Sequence, residues 1–279
     1  MTCKSILVQL DAGVHAHARL EVALRLAHQF HARLTGLFVS YMPDPRAFFV
    51  MAGTADYYVA HERQRLERAA ALERLFHAET ARAEVDSRWL AATGNANEFV
   101  PPHARLADLI IAGQDDPDDP ESFVADQFVE HLLMSAGRPV LLLPASGSAA
   151  TPGQRVLVAW DGSREATRAI HDALPFLAQA ADVTLLTVNA MRSEPPGSRL
   201  PGADIALTVA RHGVHVNVRE VTVESDTPIG DVLLSQAADT GCDLIVMGAY
   251  AHSRLHELVL GGATRTVLAS MTVPVLLSH

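Results

Sequence analysis

The chain repeats itself, and the repetition limits its fold more than any other feature. The run SILVQLD at Ser5–Asp11 returns as RVLVAWD at Arg155–Asp161. DLIIAG at Asp108–Gly113 returns as DLIVMG at Asp243–Gly248, and RPVLLLP at Arg138–Pro144 returns as VPVLL at Val273–Leu277. Three matches in one order mean two copies of one unit, the first longer in its middle. Between them, ASGSAATPG at Ala145–Gly153 is small, polar and rich in breakers, the composition of a linker. This places two domains at residues 1–145 and 152–279.

Each copy alternates short apolar runs with longer helical patterns. In the second copy the spacing predicts strands near Arg155–Trp160, Val183–Asn189, His215–Val221, Leu244–Gly248 and Val273–Leu277. Helices are expected at Glu165–Gln179, Ala203–Arg211, Ile229–Thr240 and Glu257–Ser270. Asp231 suits the positive end of the third helix, and Gly241 its stop. The first copy reads the same way, with strands near Ser5–Leu10, Leu34–Ser40, Val85–Leu90, Leu109–Gly113 and Val140–Leu143. A long helix is expected from about Tyr57 to Ala83, with Glu62, Arg65 and Arg68 on an exposed amphipathic face. Tyr41–Thr54 reads as an apolar loop interrupted by proline. The strand runs are nearly continuous in Val, Leu and Ile, which predicts burial on both faces. The fold class is therefore α/β. Two tandem repeats are expected, each an open, doubly wound, parallel five-stranded sheet with helices on both faces.

Charge and cysteine content narrow the function. With 32 acidic and 22 basic residues the net charge is −10, which offers no footprint for nucleic acid or an anionic membrane. No apolar run reaches the roughly 18–20 residues that span a bilayer, and the N-terminus lacks the pattern of a signal peptide. Two cysteines, Cys3 and Cys242, make no disulfide framework. These features read as a cytoplasmic chain.

Ligands of open α/β sheets sit beyond the carboxyl ends of the strands, where strand order reverses. In the second copy that edge carries Asp161, Gly162 and Ser163 after the first strand, Val188 after the second, and Gly248 after the fourth. Asp161 can accept a hydrogen bond from a base or sugar, or cap the following helix. Gly248, Gly261 and Gly262 have no Cβ to hold a ligand away, and a helix opening after them would offer free N–H groups to phosphate. Arg254 adds a fork of cationic donors.

Two α/β repeats, an aspartate closing the first strand, and a Gly-x-x-Gly-x9-Gly-Ser-like loop after the fourth resemble a tandem universal stress protein. In that loop Gly248 and Gly261 match, Ala251 replaces the second glycine, and Gly262 stands where the family has Ser or Thr. The resemblance implies ATP or a related adenine nucleotide in the second domain, with Mg admitted as its companion. It sets Asp161 and Val188 beside the adenosine. It sets Gly248, His252, Ser253, Arg254, Gly261, Gly262, Ala263 and Thr264 along the phosphates, Thr264 standing in for the missing hydroxyl. The first domain keeps Asp11, but Asp115, Asp116, Asp118, Asp119 and Glu121 follow Gly113 and oppose an anion there. That stretch reads as a solvated acidic turn in a degenerate copy.

Other chemistry is poorly supported. The fourteen histidines are scattered. His252 and His256 have zinc-helix spacing, but no carboxylate base lies between them. Ser163, His252 and Asp161 lack a Gly-x-Ser-x-Gly elbow. Cys242 lies beside Asp243 at a buried strand, which raises rather than lowers its pKa. No catalytic or metal-ligating residue is assigned. The reading is a non-enzymatic stress-response or regulatory module, with at most slow ATP hydrolysis. Its two repeats would form a pseudo-dimer within the chain, and two chains a homodimer. A slow nucleotide hydrolase or nucleotidyl transferase is the first alternative, a structural stress protein without nucleotide the second.

Overall fold

A computed structural model describes residues 3–40, 55–146, 151–189, 202–224, 226–250 and 262–279. The loop expected at Tyr41–Thr54 lies outside them. The chain divides into two compact units, Cys3–Ala136 and Gly137–His279.

In the first unit, β1 (Ser5–Leu10) pairs in parallel with both β2 (Arg33–Ser40) and β4 (Leu109–Gly113), and β2 pairs with β3 (Ser87–Thr93). The order is β3-β2-β1-β4. The chain winds outward from β1 to β3 and then returns to the other side of β1. With right-handed crossovers, that reversal puts helices on both faces. Ile6, Leu7, Val8 and Leu10 are accordingly buried to within 2%. The covering helices are α1 (Ala16–Phe30), α2 (Ala55–Arg82), α3 (Ala96–Ala104) and α4 (Phe128–Ser135). Helix α2 is seated by Phe76, fully buried over Gly36 on β2. A Cβ at Gly36 would lie 2.6 Å from the Phe76 ring and 2.8 Å from Trp89.

The second unit repeats the winding. Strands β6 (Arg155–Trp160), β7 (Asp182–Val188), β8 (Val216–Val221), β9 (Leu244–Gly248) and β10 (Val275–Ser278) are parallel, in the order β8-β7-β6-β9-β10. Helices α5 (Arg164–Leu177), α6 (Ala203–Ala210), α7 (Ile229–Thr240) and α8 (Gly262–Ser270) connect or cover them. Strand β5 (Val140–Leu143) also belongs to this compact unit and pairs antiparallel with β10.

The repeated motifs have one physical explanation. Asp108 accepts the backbone N–H groups of Lys4 and Ser5 at 2.8 and 3.0 Å. Asp243 likewise accepts those of Gly153, Gln154 and Arg155 at 2.8, 3.1 and 3.1 Å. In each copy the carboxylate before the fourth strand satisfies amides at the start of the first, and so sets their register.

Two expectations need correction, and one helix was not expected. Strand β8 is not buried on both faces: Asn217–Glu220 are exposed, because β8 lies at the sheet edge with β7 as its neighbour. Helix α3 forms although Pro101 and Pro102 lie inside it. Both prolines forgo a backbone donor, but the Asn95 side chain accepts the Asn97 N–H at 3.0 Å and Val100 and Ala104 are fully buried. Arg65 and Arg68 are not on a solvated face. They are half-buried and reach Ser40 and Glu121. No helix among the described residues is long and apolar enough to cross a membrane.

Candidate functional site

In the second unit the strand order reverses between β6 and β9, so their carboxyl ends flank the crevice. Asp161 leaves β6 exposed to solvent. Its Oδ1 accepts the Ser163 N–H at 2.9 Å across Gly162, whose φ is +79°. Ser163, not Asp161, caps α5: its Oγ accepts the Ala166 N–H at 3.0 Å. One short turn thus ends the strand, starts the helix and keeps an acidic group at the crevice. Val188, half-buried, ends the neighbouring β7. Beyond it Asn189 takes a left-handed φ of 53°, and its Oδ1 accepts the Val223 N–H at 2.9 Å. That bond ties the ends of β7 and β8 together.

Gly248 differs from its expected part. A Cβ there would lie 2.5 Å from the Ala166 nitrogen and 2.7 Å from the Glu165 carbonyl carbon. The missing side chain makes room for the start of α5, which is the chain's own backbone. The chain continues through Ala249, whose N–H donates to the Ser278 carbonyl at 2.8 Å, to Tyr250 at φ 59°. The Tyr250 N–H donates to Thr264 Oγ1 at 3.3 Å, and Thr264 is buried. Its oxygen therefore holds the backbone after β9. Gly262 opens α8 with no atom of the described residues within 4 Å of where a Cβ would stand, and Ala263 beside it is half-buried. Ala251, His252, Ser253, Arg254 and Gly261 lie outside the described residues.

The sequence reading passed over Glu165. It is 5% exposed, directly beneath Gly248, and Arg164 Nε donates to its Oε1. Burial pushes its carboxyl up. Hydrogen bonds from Arg164 and from its own backbone, with the charges of Arg164 and His279, outweigh burial and hold it below the ordinary carboxylate range. Burial also governs both thiols, raising Cys3 to about 12 and Cys242 to about 11, with Asp108 and Asp243 adding to it.

The equivalent edge of the first unit is filled by the chain itself. Asp11 is buried, and Arg19 Nη1 lies 2.6 Å from its Oδ2. Arg19 also bonds the Gln9 carbonyl at 3.0 Å and its side-chain oxygen at 3.2 Å. The guanidinium covers Gly113 so closely that a Cβ there would meet Nη2 at 2.5 Å. The acidic stretch is a largely exposed turn, as its sequence suggests, but it is also tied to its neighbours. Asp119 accepts the N–H groups of Val14 and Glu121 at 2.8 and 3.1 Å. Glu121 pairs with Arg68. Burial, then the neighbouring Glu130, raises the Asp115 carboxyl. These carboxylates fasten the loop after β4 onto the loop after β1.

Comparison with known proteins places the second half. Residues 153–279 match the model of the Universal stress protein family. They form one universal stress protein domain. Universal stress protein Slr1230 of Synechocystis sp. is 30% identical over 154 residues, or 53% of this chain and 49% of that protein. The match thus spans about half the length of that relative. A universal stress protein structure from Archaeoglobus fulgidus matches with a TM-score of 0.74 at 17% identity, covering 100% of this chain and 99% of that one. A protein of unknown function from Pseudomonas aeruginosa PAO1 gives 0.63 at 18% identity, covering 99% and 92%. At these identities the likeness is one of fold, and it extends beyond the universal stress protein domain to the N-terminal half.

Proposed function

We propose that the chain is a non-enzymatic stress-response or regulatory module whose universal stress protein domain binds an adenine nucleotide at the carboxyl ends of β6 and β9. The observation that carries the reading is the open edge there. Asp161 stands exposed after β6, and α8 starts at Gly262 with free space around it among the described residues. The first residues of a helix present unpaired N–H groups and a positive dipole end, which suit phosphate. Asp161 Oδ2 is set to accept from the nucleoside end. The self-filled edge of the first unit supports assigning the nucleotide to the second.

Titration calorimetry with ATP, ADP and AMP tests this. We expect binding without phosphate release, weakened about tenfold or more in Asp161→Ala, since a hydrogen bond to a charged group contributes about 1.5–3 kcal/mol. Arg254→Ala should weaken ATP more than AMP. Absence of binding by all three would leave a structural protein. Turnover abolished by Asp161→Ala would make it a nucleotide hydrolase or nucleotidyl transferase instead.

A further inference from the structure

Asp161 and Gly162 form the one Asp-Gly bond of the sequence, and the sequence holds no Asn-Gly bond. We propose that this bond is a site of spontaneous covalent modification, at which Asp161 passes through a cyclic imide to isoaspartate.

The two copies of the turn make the case by comparison. They are built alike. Asp161 Oδ1 accepts the Ser163 N–H at 2.9 Å, and Asp11 Oδ1 accepts the Gly13 N–H at 2.9 Å. In both, an amide N–H stands at the oxygen on which negative charge would grow as Cγ becomes tetrahedral, as a donor does in an oxyanion hole. They differ in what the reaction needs next. The nucleophile is the backbone nitrogen of the following residue. Gly162 brings no Cβ to hinder ring closure, whereas Ala12 does. Asp161 and Gly162 are both exposed, so water reaches the amide proton and the leaving oxygen. Asp11 is 6% exposed, and Arg19 Nη1 lies 2.6 Å from the Oδ2 that would have to leave.

The reaction balances with water alone. The Gly162 nitrogen loses its proton to solvent and bonds Asp161 Cγ, and Oδ2 departs as water, leaving the imide. A second water then opens the ring at Cγ, which restores aspartate, or at the Asp161 carbonyl carbon, which gives isoaspartate. In the second product the main chain runs through Cγ, and the free carboxylate is the former backbone carboxyl. The turn that starts α5 is then one carbon longer.

The test ages the full chain, without nucleotide, at neutral pH and physiological temperature in water enriched in heavy oxygen, followed by trypsin. The peptide 156–164 holds Asp161 and no other Asp or Asn, and the peptide 5–19 holds Asp11 in the same way. We expect 156–164 to acquire a second form that carries one heavy oxygen and accepts a methyl group from a protein isoaspartyl methyltransferase. The peptide 5–19 should acquire none, even in Ala12→Gly, because burial and Arg19 remain. Gly162→Ala should lose most of the product. Since φ +79° strains an alanine there, Asp161→Glu, which keeps a carboxylate but needs a larger ring, should lose it as well. Isoaspartate at 161 only in the urea-unfolded chain, product without heavy oxygen, or Asp11 reacting as fast as Asp161 in Ala12→Gly would overturn the proposal. None of these readouts involves a nucleotide, so the proposal stands or falls apart from the binding reading.

Discussion

Arg19 and Asp11 meet at 2.6 Å inside the N-terminal unit, with side chains only 5% and 6% exposed. Such a pair gains little against an apolar replacement, but removing one partner strands the other charge. Arg19→Ala should therefore destabilise the unit by about 3–5 kcal/mol. Adding Asp11→Asn should recover a large part of that loss, because the amide oxygen can still accept the Gly13 N–H that Asp11 holds at 2.9 Å. Urea unfolding of the single and double variants measures both. Equal stability of the two would mean that the charge, once unpaired, finds water.

Gly248 and Gly262 lie on the same edge and should respond in opposite directions to alanine. A methyl at Gly248 would press on the backbone at Ala166, which cannot rotate away as a side chain could. Overpacking of this kind costs about 1–3 kcal/mol. At Gly262 the space is open among the described residues and the residue is helical, so alanine should be neutral or stabilising by up to about 1 kcal/mol. Thermal unfolding of the two variants decides the point. A Gly248→Ala protein as stable as the parent would show that α5 can shift freely.

Glu165 makes the stability depend on acid. Its carboxyl is held below the ordinary value of 4.5 in the folded state. A depressed carboxyl contributes stability above the unfolded value, and the contribution is lost as the pH falls through the folded one. Glu165→Gln should thus cost about 1 kcal/mol near neutral pH, a modest figure because the partner Arg164 is largely in solvent. The gap between variant and parent should close below the ordinary carboxyl range. Unfolding curves at several pH values test the trend, and a gap that widens in acid would reverse the assignment.

The sequence reading and the structure agree where local pattern and tertiary packing ask for the same thing. β6 and β9 begin and end as their apolar runs do, and α7 stops at Gly241 because that residue turns left-handed at φ 58°. The duplicated aspartates mark equivalent strand starts because they bond the same amides in each copy. The misses share one cause, partners distant in sequence. Arg68 looks like one more charge on a solvated helix until Glu121 is brought to it, 53 residues away. Arg19 looks like an ordinary helix-surface arginine, yet it closes the edge of its own sheet. His215–Val221 reads as a core strand because its valines do not reveal that no strand among the described residues lies beyond it. The crevice of the universal stress protein domain was legible as a position, from the alternation of strands. The parts played by Gly248 and Glu165 were not, because a contact between the end of β9 and the start of α5 leaves no mark on either segment alone.

Strand β5 ends before the linker, yet it lies along β10 in the C-terminal unit. A fragment cut to the matched segment, 153–279, would leave one side of β10 without that neighbour. Its bare amides and carbonyls would be a template for any strand that came near. For this chain, the separable module begins upstream of where family likeness begins, and expression of the shorter piece should yield aggregates or strand-exchanged oligomers rather than the soluble half.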